Sequence, residues 1–258
     1  MSSLSLAIPS APLPPAAVVG LLVDGAREMR ATRFAGVVYG ILFVLMGQAI
    51  FTVYANIWQM TMGLTAGFFL VAPFVCCGIY DLSRQHESGG QISIRQSLKS
   101  WSRNWTSIAF FAAILTFLMI VWARVSVVLF ALFATHDYGD VSGMLMKITS
   151  MSNLPFMMVW TGVGFVFASL VFAISVVSMP MMLDRDADTF EAIAASATAL
   201  WQNPAAMLTW AVLIVLLIGS SLVLFLPALA ITAPLVGHTT WKVYKALVPP
   251  PQAGTEQA

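Results

Sequence analysis

Charge is what this sequence has least of: 12 Lys and Arg with 11 Asp and Glu make up 9% of 258 residues, where an ordinary globular chain carries about 25%. So small a supply cannot coat a water-facing surface, which excludes a soluble globular domain as the reading of the whole chain. The net charge of +1 lacks the basic excess that nucleic acid calls for, and no nucleic-acid partner is expected. Cysteine is also scarce. Cys76 and Cys77 are adjacent in an apolar run, where they cannot bridge separate elements with each other and read as buried apolar residues rather than ligands. With three histidines, a haem held by two imidazoles has no second ligand inside the apolar stretches. No phosphate-cradling glycine loop, nucleophilic triad or catalytic carboxylate pair is visible, so the chain does not read as an enzyme and implies no cofactor. Asp184, Asp186 and Asp188 cluster in a loop and read as capping or solvated groups.

What is plentiful is apolar: 59% of the residues. The charges crowd into short stretches and leave apolar runs of roughly twenty residues or more, the length that crosses a bilayer as a helix. The expected fold is all-α and polytopic, with six transmembrane helices in three hairpins, each preceded by a short interfacial amphipathic helix. The spans fall at residues 34–54, 57–80, 105–125, 154–183, 205–225 and 227–247 of a membrane domain covering 17–248. Residues 1–16 are expected to form a disordered tail without the features of a secretory signal, and 249–258 a flexible one. The stretch from Asn203 to Trp241 is too long for one span and should fold back near Pro227. Residues 125–135 either continue the third span or bend into the outer interface.

Lys and Arg in short loops stay cytoplasmic. With the amino terminus inside, the inner side holds Arg27, Arg30, Arg33, Arg84, Arg95, Lys99, Arg103, Arg185, Lys242 and Lys245, and the outer side only Arg124 and Lys147. Both termini are therefore expected in the cytoplasm of a bacterial inner membrane.

Three points suggest an internal repeat: Thr32, Asn104 and Asn203 each stand just before an apolar run, and Pro73, Pro180 and Pro234 each fall toward the inner end of a hairpin's second helix, where proline should bend it. In the second unit Ile94, Leu98, Trp101 and Trp105 share a face beside a basic stripe of Arg95, Lys99 and Arg103, which suits a helix lying on anionic headgroups. The third opens on Asp188-Thr189-Phe190-Glu191, a capping-box pattern, with Phe190, Ile193, Ala197 and Leu200 on one face.

The basic segment Arg27 to Arg33 leading into Tyr39-Gly40, the run Tyr80-Asp81-Leu82-Ser83-Arg84 and the run Trp201-Gln202-Asn203-Pro204 make residues 18 to 247 resemble a bacterial family of predicted integral membrane proteins with an uncharacterised domain. Some members are described as proposed cytochrome c oxidase subunits. The resemblance implies the membrane fold and hints at a respiratory complex. It carries no functional residues over.

Candidate sites are few. No Asp or Glu falls clearly within a span, which removes the usual carboxylate of proton-coupled transport. His238, with Lys242 one turn on, is the candidate cofactor-binding residue, packing between helices being the simpler role. His136, Met144 and Met146 are candidate soft-metal ligands without a recognised spacing. Gly36, Gly40, Gly63 and Gly67, spaced by four, would let helices approach closely. Arg95, Lys99, Arg103 and Arg124 suit headgroup or interface contacts. Trp58, Trp105, Trp160 and Trp241 fall where an aromatic belt is expected. The inventory favours a non-catalytic accessory or structural subunit of a bacterial inner-membrane complex, partnered by the bilayer and other membrane subunits. The alternative is a small transporter or channel built from repeated helical hairpins.

Overall fold

The computed structural model describes residues 10–32, 35–56, 61–133 and 154–249, with 54–56 and 61–69 as backbone only. Among these the chain is all helical. Helix α1 (Pro15–Ala31) opens on Pro14 and Pro15, whose fixed φ suits a first turn, and buries Val18, Gly25, Glu28 and Met29. Helices α2 (Val37–Asn56) and α3 (Thr61–Glu87) follow. One α-turn, α4 (Ile94–Ser97), and a 3-10 turn (Ser100–Asn104) lead into α5 (Trp105–Phe133). Next come α6 (Leu154–Ser175), α7 (Ser178–Arg185) and α8 (Thr189–Gln202). Helix α9 (Pro204–Ile214) continues through a π-turn (Val215–Gly219) into α10 (Ser220–Leu224), and α11 (Leu229–Leu247) returns after a 3-10 turn at Leu226–Ala228.

Three stretches among the described residues are long and apolar enough to cross a membrane: Ile94–Phe133, Leu154–Arg185 and Pro204–Leu224. Their apolar surface is left largely uncovered by the other described residues. Helix α5 buries only Ile108, Phe111 and Ala112 near its start, and α6 only Phe156, while Phe117, Leu132, Phe165 and Val223 are each more than 60% exposed. An all-round apolar helix with no protein cover is built for a hydrocarbon solvent.

The buried core gathers at the end that carries the charges. There Val18, Tyr80, Phe111, Met181, Met182, Trp210, Trp241 and Tyr244 pack in one cluster, and α11 lies along both α1 and α2. This polar end also holds residues 10–14, part of the expected tail: Leu13 N donates to Asn203 Oδ1 at 2.7 Å and Ala11 N to Leu247 O at 2.8 Å.

Four expectations change. Helix α5 runs unbroken past Arg124 to Phe133, 29 residues and about 44 Å, which decides the open question for residues 125–133. The stretch 154–183 is two helices with a turn at Val176–Val177. Pro180 offers no N–H to the carbonyl of Val176 and its ring crowds that group, while Ser178 Oγ donates to Ala192 O at 3.0 Å and Val177 N to Ser196 Oγ at 3.2 Å. The basic segment 94–104 is not one regular α-helix. Ser97, Ser100 and Ser102 each donate to the carbonyl three residues back, at 2.9, 2.7 and 2.7 Å, and these bonds tighten the winding. Trp241 leaves the aromatic belt altogether: it is fully buried, stacked on Tyr80 at 6.4 Å.

The expected stripes on the leading helices point away from the protein. Leu98 and Trp105 are 55% and 60% exposed. In α8, Asp188 caps the first turn by accepting from Phe190 N and Glu191 N at 2.7 and 3.0 Å, yet the buried face is Thr189, Ala192, Ala195, Ser196 and Ala199. Small side chains let α8 sit close against its neighbours, and Phe190 and Trp201 project outward.

Candidate functional site

The densest gathering of polar side chains lies where α1, α3 and α11 meet at the polar end. Glu28 on α1, Ser83 on α3 and His238 on α11 are all buried. His238 Nδ1 is 3.0 Å from Glu28 Oε1 and 2.8 Å from Ser83 Oγ. Lys242, one turn past His238, places Nζ 2.5 Å from Glu28 Oε2 and 2.9 Å from Glu87 Oε1. Burial pushes the Glu28 carboxyl upward, but hydrogen bonds with His238, Lys242 and Ser83 outweigh it and hold the group below the ordinary glutamate value. The carboxylate is therefore charged and paired.

Glycines make this meeting possible. A Cβ on Gly36 would stand 2.9 Å from Pro234 Cβ and 3.2 Å from His238 Nε2, one on Gly40 would collide with the Ala230 carbonyl, and one on Gly25 with Thr239. Helices α1 and α2 thus rest on the backbone of α11, as small residues in membrane helices permit. Gly25 escaped the sequence reading because it sits among charges, Asp24-Gly25-Ala26-Arg27, outside any apolar run. Gly63 and Gly67 fall where only backbone is described, and Trp58, His136, Met144 and Met146 lie outside the described residues.

Two further networks flank the first. On α3, Asp81 is fully buried and takes Arg84 and, at 2.6 Å, Gln85 Nε2, while Gln85 also accepts from Ser93 N at 2.7 Å. Between α7 and α11, Tyr244 Oη and Lys245 Nζ both donate to Asp184 Oδ2, at 2.7 and 2.8 Å. Arg185 reaches across to donate to Tyr244 Oη at 3.0 Å and to the carbonyls of Val248 and Pro249 at 2.8 and 2.7 Å. Asp184 is therefore a helix tie and not the solvated loop residue expected. The exposed cations Arg95, Lys99 and Arg103 ring the same end, with Arg103 paired to Asp186 at 3.2 Å. Arg124 is exposed on α5, about 29 Å along the helix from Trp105.

Ser, His and Glu in contact invite comparison with a nucleophilic triad, and the geometry argues against one. A base must hold the nucleophile on one ring nitrogen and the orienting carboxylate on the other. Here Ser83 and Glu28 both crowd Nδ1, and Nε2 faces Gly36 without a hydrogen-bond partner. The same enclosure leaves no edge of His238 open to a planar cofactor. The cluster works as a clamp between helices, with an open cavity of about 300 Å³ beside it lined by Asp24, Arg27, Ala31 and His86.

Apolar rods without protein cover, closed at one end by paired charges, describe a chain made for a membrane. Residues 60–184 match the family described as predicted integral membrane protein (DUF2189). The DUF2189 match runs from the start of α3 through α7 and takes in Asp81, Arg84 and Asp184; Glu28, His238 and Lys242 lie outside it. No curated protein and no solved structure matches the chain.

Proposed function

We propose that this is a six-span protein of a bacterial cytoplasmic membrane, three hairpins each led by a short interfacial helix, with both termini cytoplasmic. Its role is that of a non-catalytic structural or accessory subunit of a membrane complex. The observation that carries the reading is the pairing of the enclosed charges: buried Glu28 and half-buried Asp184 each meet a lysine and a second donor within the chain, so the groups best suited to chemistry are used to join helices. A transporter calls for polar groups free midway along its helices. Along the apolar helices Thr116, Ser221 and Thr232 bond to a backbone carbonyl or to one another and Gln48 Nε2 donates to Thr52 Oγ1, which leaves Ser126 Oγ as the one buried hydroxyl there without a partner among the described residues. The uncovered apolar flanks of α5, α6 and α9 supply ample surface for lipid or for partner subunits.

The test is purification of the tagged protein from its native membrane in mild detergent, with mass spectrometry of companion chains and a visible absorption spectrum. Stoichiometric recovery of subunits of one membrane complex is the expected result. Recovery of the chain alone, combined with substrate flux in reconstituted vesicles, overturns the proposal in favour of transport.

A further inference from the structure

A second cavity, of about 450 Å³, lies between α2, α3, α10 and α11, within the range of small-molecule sites. Its walls are Phe43 and Ile50 on α2, Ile79 on α3 and Val236 on α11, with Phe51 and Leu222 at one end and Tyr80 at the other. Phe51 and Leu222 are 51% and 44% exposed, so the cavity opens toward whatever surrounds the helices. Tyr80 is 93% buried as a residue, and its hydroxyl, which bonds to no described residue, is not sealed off as the Trp210 and Trp241 indole N–H groups are. A phenol hydroxyl left open on the lining of an apolar chamber is placed to donate to an acceptor from outside the chain. The wall is also irregular in the manner of a site: the π-turn Val215–Gly219 places Ile218 on it, and such turns are frequent at functional positions.

The depth of the chamber selects the occupant. Tyr80 adjoins Asp81 at the polar end, and the walls run outward from it for about 12 Å, the eight steps of 1.5 Å from Leu229 to Gly237. An apolar chain with a carbonyl at the level of the membrane interface has the same layout. The geometry points to a specific phospholipid site: one acyl chain fills the cavity and its ester carbonyl accepts a hydrogen bond from Tyr80 Oη. The inference rests on the chain's membrane embedding and is independent of the accessory-subunit reading, so the absence of partner subunits leaves it standing.

Native mass spectrometry of the full chain, released from detergent and titrated with dioleoyl phosphatidylethanolamine, tests it. One lipid per chain is expected to stay bound at high collision energy. Ala233→Phe and Ile50→Trp, which fill the chamber from different helices, should abolish that species, and Tyr80→Phe should weaken it roughly fivefold, one neutral hydrogen bond. Thermal melts of each variant report folding, and two fillers guard against one that fails to fold. Absence of a retained lipid in the parent chain overturns the site, as does retention that neither filler changes, since annular lipid would behave so. Solvent extraction that yields a lipophile other than a phospholipid overturns the choice of occupant.

Discussion

Glu28 reaches the centre of the polar end from the first helix and is met there by His238 and Lys242 from the last, with Ser83 between. Because the folded chain holds the Glu28 proton more weakly than the unfolded chain does, the carboxylate contributes its full stability above the ordinary glutamate pKa, about 4.3, and loses it as pH falls through the lower folded value. Melts in detergent between about pH 6 and about pH 3 should show that acid limb, and Glu28→Gln should flatten it while lowering the stability at neutral pH by an amount on the order of 2 kcal/mol for a buried charge-assisted bond, read as a lower melting temperature. Part of this site was legible. His238 and Lys242, four residues apart on a helix, had to share a side. Glu28 was not, because it stands among the basic residues Arg27, Arg30 and Arg33 and its partner lies 210 residues away. No local pattern announces a pair of that separation.

Short helical pieces behave differently from long ones. The existence of the long helices followed from apolar length alone, and the stretch judged too long for one crossing is interrupted by a 3-10 turn at Leu226–Ala228, which contains Pro227. The pieces that departed from expectation are those where side-chain hydroxyls and prolines compete with the main chain: the serine-tightened turn before α5 and the break ahead of Pro180. Asn104 and Asn203, picked out only as points of likeness between units, prove to be fasteners. Asn104 Nδ2 donates to Met182 O and Ala187 O at 3.1 and 2.8 Å, and Asn203 holds Leu13 N and Ser10 Oγ. Asn203→Ala should free residues 10–14 from α8 at a cost of about 1 to 2 kcal/mol. Limited proteolysis should then cut ahead of Pro14 faster than in the parent chain, and equal cutting rates would show that the strap holds without it.

At the scale of the whole molecule, burial is graded from end to end. Paired charges and a packed core occupy one end, and uncovered apolar rods extend from it, so the polar end belongs at a membrane surface and the rods in hydrocarbon. If the amino terminus is inside, as proposed, ten of the twelve basic residues lie on the cytoplasmic side, and the preference of short basic loops for that side makes the topology testable. With Cys76 and Cys77 replaced by Ala, a cysteine at Thr255 should react with an impermeant thiol reagent only in inverted vesicles, and one at Ser142 only in intact spheroplasts. The opposite pattern would reverse the orientation.

The clamp between α1 and α11 also sets a schedule. Glu28 leaves the ribosome 210 residues before His238, and at 5 to 20 residues per second that interval is roughly 10 to 40 s. Throughout it a carboxylate destined for burial has no final partner, and α1 has no α11 to lie against. The amino-terminal helix must wait in water or on the headgroups until the last helix is made. A chain released early, without α11, keeps Glu28 uncompensated, so loss of that single helix exposes α1, and the two helices vouch for each other.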